Sequence, residues 1–242
     1  MLVEPKPWLH NPIHTHQHQP NSLTIKNIKM SPQTKPTAAE PLYFWRETVQ
    51  HGYLSNWYPS PFTSGPIPPS ISSTPILNPA SHLTSPITFK TSEHHMMYCK
   101  ALLFHPESRA AILSAKHPRK VKDLGKTLPN FDEKVWVQHR EEIVRQGNYL
   151  KFSYPIKKEK GSKWFIGDKS LREHLLETGD KELIEASPYD KIWGIGFKEE
   201  DAEGNRSKWG LNLLGKVLME VREVIRAEEK KKKGDGEKTQ ED

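Results

Sequence analysis

Three short stretches carry the side chains that chemistry needs. The first is Thr91-Ser92-Glu93-His94-His95-Met96-Met97-Tyr98-Cys99-Lys100. Thr91 or Ser92 suits the N-cap of a helix, which puts Glu93 in the first turn, where the positive end of the helix dipole favours an ionised carboxylate. Lys100 follows seven residues later, two turns along the same face, so a carboxylate and an amine can line one pocket. The plainer reading is a capping acid and a surface lysine. His94 and His95 are adjacent and point about 100° apart, without the i, i+4 partner of a helical zinc motif, so no metal site is expected here.

The second stretch is Ser187-Pro188-Tyr189-Asp190-Lys191-Ile192-Trp193-Gly194-Ile195-Gly196. A tryptophan beside two glycines lets a loop approach a planar ligand, with Asp190 near as an acceptor; a buried Trp in a turn is the alternative. Aromatic faces stack on nucleobases at roughly 1–3 kcal/mol each. Gly194-x-Gly196 lacks the third glycine of a dinucleotide fingerprint. The third stretch runs from Gly210 to Met219. Asn212 stands at the start of the last predicted helix, beside N–H groups that attract a phosphate; it can also be a plain N-cap, and the two can hold together.

These stretches need a scaffold, and the 242-residue chain supplies one unevenly. Fifteen of its 20 prolines fall within residues 1–86, and hydrophobic residues make up only 34% of the whole. Residues 1–40 read as a disordered extension of Pro, Asn, Thr, Gln and His. In it His14, His16 and His18 alternate, and translation from Met30 would discard most of it. Order is expected from Pro41, with Tyr43–Phe62 as short strands or ordered turns. Residues 59–86 hold eight Pro, seven Ser and three Thr and no Asp, Glu, Lys or Arg. Residues 63–86 therefore read as a low-complexity loop insertion that does not pack. A short strand is predicted at Ile87–Phe89. Helices follow from Ser92 to about Phe104, from Pro106 to about Lys116, and from Pro118 to Leu124 with Gly125 as terminator. Asn130 with Glu133 is expected to cap a long helix to about Phe152, with Val135, His139 and Ile143 on its apolar stripe. Ser170–Glu177 is a short helix closed by Gly179, Leu183–Glu185 a brief strand, and Asn212–Ala227 a helix striped by Leu214, Leu218, Val221 and Ile225. The fold class expected is mainly α with a few short strands: one domain over residues 41–228, followed by a charged tail at 229–242.

The bulk numbers narrow the function. No stretch approaches the ~18 apolar residues of a membrane helix, and no secretory signal or transit peptide is read at the N-terminus. Cys99 is the sole cysteine, so an intrachain disulfide and a cysteine zinc site are excluded. A reducing compartment, cytoplasm or nucleus, fits. The pI is near 9.2 but the net charge is only +6, part of it in the run Lys230–Lys233. Specific nucleic-acid binding through a basic patch is not expected.

Read in order, the motifs resemble the NADAR, or YbiA-like, domain family. The resemblance rests on Gly52-Tyr53-Leu54-Ser55-Asn56-Trp57-Tyr58, Thr91-Ser92-Glu93-His94 with Lys100, and Lys122-Asp123-Leu124-Gly125-Lys126. Trp136, then Asp190-x-x-Trp193-Gly194, then Gly210-x-Asn212-x-Leu214-Gly215-x-x-Leu218-Met219-x-x-Arg222-Glu223 complete it. It covers about Tyr43 to Ala227 without the insertion, and Lys126 stands where the family more often has arginine. It implies a mostly helical domain and N-glycosidase chemistry on a ribose C1′–N bond. The substrate would be a phosphorylated ribosylamino-pyrimidine of the early riboflavin pathway, or ADP-ribose attached to guanine, including on nucleic acid. No metal or cofactor is implied. Glu93 would stabilise the oxocarbenium-like charge, its helix-start position lowering its pKa and suiting it to that role or to a base. Asp190 would serve sugar hydroxyls or activate water. Lys100 would bind phosphate or act as a Schiff-base nucleophile. Trp136 and Trp193 would sandwich base or sugar, and Asn56, Trp57, His94, Gly194 and Asn212 complete the expected substrate-binding set. The alternative is a module that binds ADP-ribose or a nucleotide without cleaving it.

Overall fold

The computed structural model describes residues 39–72, 86–154 and 160–238. The N-terminal extension before Ala39, with the histidines at 14, 16 and 18 and Met30, lies outside them, as do residues 73–85 of the insertion. The described part is mainly α-helical, with two small two-stranded sheets.

Strand β1 (Leu42–Phe44) pairs in parallel with β4 (Leu183–Glu185), in the register Leu42↔Leu183, Tyr43↔Ile184, Phe44↔Glu185. Strand β2 (Phe62–Thr63) runs antiparallel to β3 (Thr88–Phe89). The insertion is anchored more firmly than its composition suggests. The Ser64 N–H donates to the Ile87 carbonyl (2.7 Å), Ser64 Oγ accepts from Ile87 N (2.9 Å), and Ile71 is buried among core side chains. Ile67 packs against the same core, so isoleucines in a Pro/Ser run, together with the Ser64 bonds, pin it to an apolar surface, which corrects the expectation that residues 63–72 do not pack.

Helix α1 (Ser92–Phe104) is the central element; every residue from Ser92 to Ala101 is buried. Thr91 is its N-cap, the hydroxyl accepting from the His94 N–H. A helix buried on all sides is normally apolar. This one carries Glu93, His94, His95 and Lys100 inside, so each must find a partner or shift its protonation. Helix α2 is Arg109–Ser114, after a 3-10 turn at Pro106–Ser108. Helix α3 (Pro118–Lys126) packs on α1. It runs through Gly125 rather than ending there: a Cβ at 125 would sit 1.9 Å from Met97 Sδ, so the glycine serves helix contact, not termination.

Helix α4 (Glu133–Ser153) packs along both α1 and the terminal helix α7. Its N-cap is Asp132, whose Oδ1 accepts from Lys134 N (2.7 Å) and Val135 N (3.2 Å); Asn130 instead takes a left-handed turn conformation. The buried face of α4 is Trp136, Arg140, Ile143, Val144, Gly147 and Leu150, rotated from the Val135–His139 stripe. Being packed on two sides, it buries polar positions that an apolar periodicity does not reveal. Helix α5 (Leu171–Glu177) opens on a capping box between Ser170 and Glu173, with Gly179 at φ 58° beyond its end. Helix α6 is Glu199–Ala202. Helix α7 (Leu213–Lys238) buries Leu214, Leu218, Val221 and Ile225 as expected and continues past Ala227 through exposed lysines, good helix formers that need no core. Among the described residues no helix is long and apolar enough to cross a membrane.

Candidate active site

The start of α1, the end of β4 and the loop after it converge. Glu93 is 3% exposed. Its backbone N–H donates to the Asn56 carbonyl (3.0 Å), tying the 55–57 loop to the first turn of α1. The same loop is held from α4. Asn148 Nδ2 donates to Asn56 Oδ1 (3.0 Å), and the wholly buried Lys151 donates to the Ser55 carbonyl (2.9 Å). So fixed, the Trp57 loop lies beside the Glu93 carboxyl, whose Oε1 is buried with no hydrogen-bond partner.

Burial pushes the Glu93 pKa up to about 7, and the Asp190 charge adds to the rise; Lys122, the Trp57 indole and Lys100 oppose it. This reverses the effect expected from the helix dipole. A first-turn carboxylate gains typically 0.3–1 kcal/mol from the dipole. Moving from 4.5 to about 7 opposes ionisation by roughly 3 kcal/mol, so desolvation wins.

Lys100, 8% exposed, donates from Nζ to the Gly125 carbonyl (2.9 Å) and lies 4.0 Å from the Phe131 ring centroid and 5.2 Å from that of Trp136. Burial lowers its pKa; Glu133 and Glu93 act the other way. Trp136 is thus a buried floor beneath Lys100.

Asp190 begins a tight turn in which its Oδ1 accepts from both Ile192 N and Trp193 N (2.9 Å each). Trp193 is half-buried against the core. Gly194 allows this loop to lie on β4: a Cβ there would be 2.6 Å from the Glu185 carbonyl. Glu185 itself, which motif reading passed over, belongs to the same group of charges. Its Oε2 is buried and unpartnered, and burial pushes its pKa up to about 8, reinforced by Asp190 and Glu93 and opposed by Lys122. Lys122, in α3, is the cation common to both glutamates. The one sequence signal for Glu185 was an acid ending a strand otherwise made of buried Leu183 and Ile184.

Two expected ligand contacts are satisfied inside the protein. His94, 1% exposed, has Nδ1 2.8 Å from Thr91 Oγ1 and Nε2 3.1 Å from the Ala115 carbonyl, so both ring nitrogens brace the start of α1. Asn212 takes φ 50° and clamps β4, its Oδ1 accepting from Glu185 N (3.0 Å) and its Nδ2 donating to the Leu183 carbonyl (2.9 Å). The first N–H groups of α7, from Leu213 and Leu214, donate to the Ile192 and Trp193 carbonyls. The helix start therefore holds the Asp190 loop.

Among the described residues no group of three or more His, Cys, Asp or Glu is arranged to hold a metal. Two open cavities, of about 450 and 570 Å³, lie around His51 and Lys181 and include none of Glu93, Lys100, Glu185 or Asp190. The buried charges, rather than open volume, pick out the site.

The NADAR domain profile matches residues 43–226, which contain all of these groups. An N-glycosidase of Acanthamoeba polyphaga mimivirus is 41% identical over 138 residues, 56% of this chain and 74% of its own length. A riboflavin biosynthesis protein of Vibrio vulnificus is 29% identical over 187 residues, 77% of this chain but 39% of the larger protein. The NMR structure of Escherichia coli YbiA superposes with a TM-score of 0.51 at 22% identity, covering 80% of this chain and 89% of that one.

Proposed function

The chain belongs to the NADAR domain family, and on that premise we propose that it is an N-glycosidase. It hydrolyses the C1′–N bond of a phosphorylated ribosylamino-pyrimidine or of ADP-ribosylated guanine. The observation that carries this reading is the Glu93 carboxyl: sealed in the fold, one oxygen left without a partner, and within reach of the charges of both Lys100 and Asp190. An unpaired buried carboxyl oxygen destabilises the fold and is retained where a ligand completes it. The mimivirus relative supports the chemistry, and the Vibrio relative supports a riboflavin-pathway substrate.

In this reading the electron pair of the C1′–N bond leaves with the base, and positive charge spreads over C1′ and the ring oxygen. Glu93, ionised, lies against that charge in a site shielded from water, where the attraction is strongest. Asp190 takes the proton of the water that adds to C1′. Trp193 supplies an aromatic face for the planar base. Lys100 either binds the phosphate or attacks C1′ as a free amine, and burial favours the amine.

Purified protein is incubated with the riboflavin-pathway ribosylamino-pyrimidine phosphate and, separately, with ADP-ribosylated guanosine, and release of free base is followed by chromatography. Turnover of either, abolished by Glu93→Gln, is expected. Calorimetric binding of ADP-ribose by a folded protein that turns over neither substrate would replace this reading with a binding module.

A further inference from the structure

We propose that Glu185 is the general acid of this site, giving its carboxyl proton to the nitrogen that leaves C1′, with Glu93 as its ionised counterpart. The assignment rests on the N-glycosidase reading and adds to it the proton donor that a poor leaving group requires.

Glu93 at the start of α1 and Glu185 at the end of β4 each bury an unpartnered oxygen. The Asp190 charge raises the proton affinity of both, and Glu93 raises that of Glu185. Like charges crowded into a water-poor site do not both ionise, so one carboxyl of such a set keeps its proton. Their surroundings differ. The Trp57 indole, which can only donate, lies beside Glu93 and favours its ionised form. Glu93 also has the N-terminal end of α1 and, from the same helix, Lys100 in its favour. Glu185 lies at a strand end with Oε2 lacking any donor, and near it is Asp190, whose Oδ1 is already filled by two backbone N–H groups. Lys122 from α3 draws on both glutamates. Environments that push two carboxyls apart separate an acid from a stabiliser.

The mounting suits a group that must hold position. Glu185 donates its N–H to Asn212 Oδ1 (3.0 Å), accepts Ile195 N on its carbonyl (3.0 Å), stands opposite Phe44 in β1 and has Gly194 packed on its carbonyl. Separate segments of the chain therefore locate it, as a proton donor acting within a few tenths of an ångström requires.

The cycle closes without a co-reactant other than water. The C1′–N bond breaks, its electron pair goes to nitrogen, and nitrogen takes the Glu185 proton. Water oxygen bonds to C1′, its proton goes to Asp190, and Asp190 returns that proton to the neighbouring Glu185. Water has then been added across the bond and every carboxyl is restored.

The test compares two substrates in the full-length protein: the N-riboside that wild type cleaves, and the matching 4-nitrophenyl riboside phosphate, whose leaving group needs no proton. Glu185→Gln is expected to lose about 100-fold or more in kcat on the N-riboside and to keep the nitrophenyl rate within roughly 10-fold. Wild type alone gives a second reading: an alkaline fall in kcat/KM on the N-riboside that is absent on the nitrophenyl substrate. Equal loss on both substrates, or no loss, overturns the assignment; if Glu185→Gln does not fold, an alkaline limb identical for both substrates overturns it. Wild type inactive on every riboside sinks the N-glycosidase reading itself, which is a distinguishable result.

Discussion

Replacing Glu93 by glutamine is expected to stabilise the protein at alkaline pH while removing its activity. The new side chain would keep an oxygen beside the Trp57 indole and the shape of the original, so the change is essentially one of charge. In the folded protein the Glu93 pKa is about 7, against an ordinary 4.5. Because the folded value is the higher one, the folded state binds the extra proton. Stability from this group is fully present below pH ~4.5 and is lost as pH rises through about 7. The full loss is about 1.36 kcal/mol for each of the roughly 2.5 pH intervals between the two values, or about 3 kcal/mol. For a domain of this size that is roughly 6–12 °C in Tm. Wild type and Glu93→Gln should unfold at nearly the same temperature at pH 5 and diverge at pH 9, the variant melting higher. Removing the Glu93 charge also takes away one cause of the raised Glu185 pKa, so the variant's own alkaline loss should be smaller than a sum over two independent groups. Thermal unfolding followed by circular dichroism across pH 5–9 measures both effects. Parallel stability curves for the two proteins would show that Glu93 ionises in the fold without a desolvation penalty. The expected pattern is a site that sacrifices stability for chemistry.

Other outcomes follow from the same geometry. Trp57→Phe removes the donor that favours ionised Glu93, so the acidic limb of kcat/KM should move to higher pH; an unmoved limb would separate Trp57 from the titration. Cyanoborohydride added during turnover should trap a covalent adduct on Lys100, found by mass spectrometry and missing in Lys100→Arg; no adduct assigns Lys100 to phosphate binding. Asn212→Ala strands the Glu185 N–H and the Leu183 carbonyl and should lower stability in urea by about 2–4 kcal/mol, an unchanged midpoint arguing against the clamp. Gly194→Ala drives a Cβ into the Glu185 carbonyl, where backbone must yield; it should reduce kcat/KM at least about 10-fold with a stability loss of roughly 1–3 kcal/mol, both measurable on the same preparation.

What the chain could reveal unaided is whatever depends on neighbours a few residues away. Thr91 caps α1, Ser170 and Glu173 close a capping box, and Gly179 ends α5, because capping is a contact between adjacent turns. The placing of Glu93 and Lys100 on one face follows from the helical period alone, and the four-residue stripe of α7 from Leu214 to Ile225 is likewise a local pattern. The NADAR resemblance was legible because its glycines, tryptophans and acids recur in fixed order. Where local signals competed, reading faltered: Gly125 lies inside α3, and Asp132 rather than Asn130 caps α4.

The tertiary structure decided protonation and partnership. Whether Glu93 is acid or base depends on how much water the segments packed around it exclude, a sum over parts far apart in the chain. The helix dipole pointed the other way and was outweighed. Glu185 and Lys122 join the site only because β4 and α3 fold toward the start of α1, and no spacing rule connects positions 93, 122 and 185. His94 and Asn212 show the reverse case. Both have side chains suited to a ligand, and both commit them to the scaffold, because the nearest partners after folding were a hydroxyl and three backbone groups.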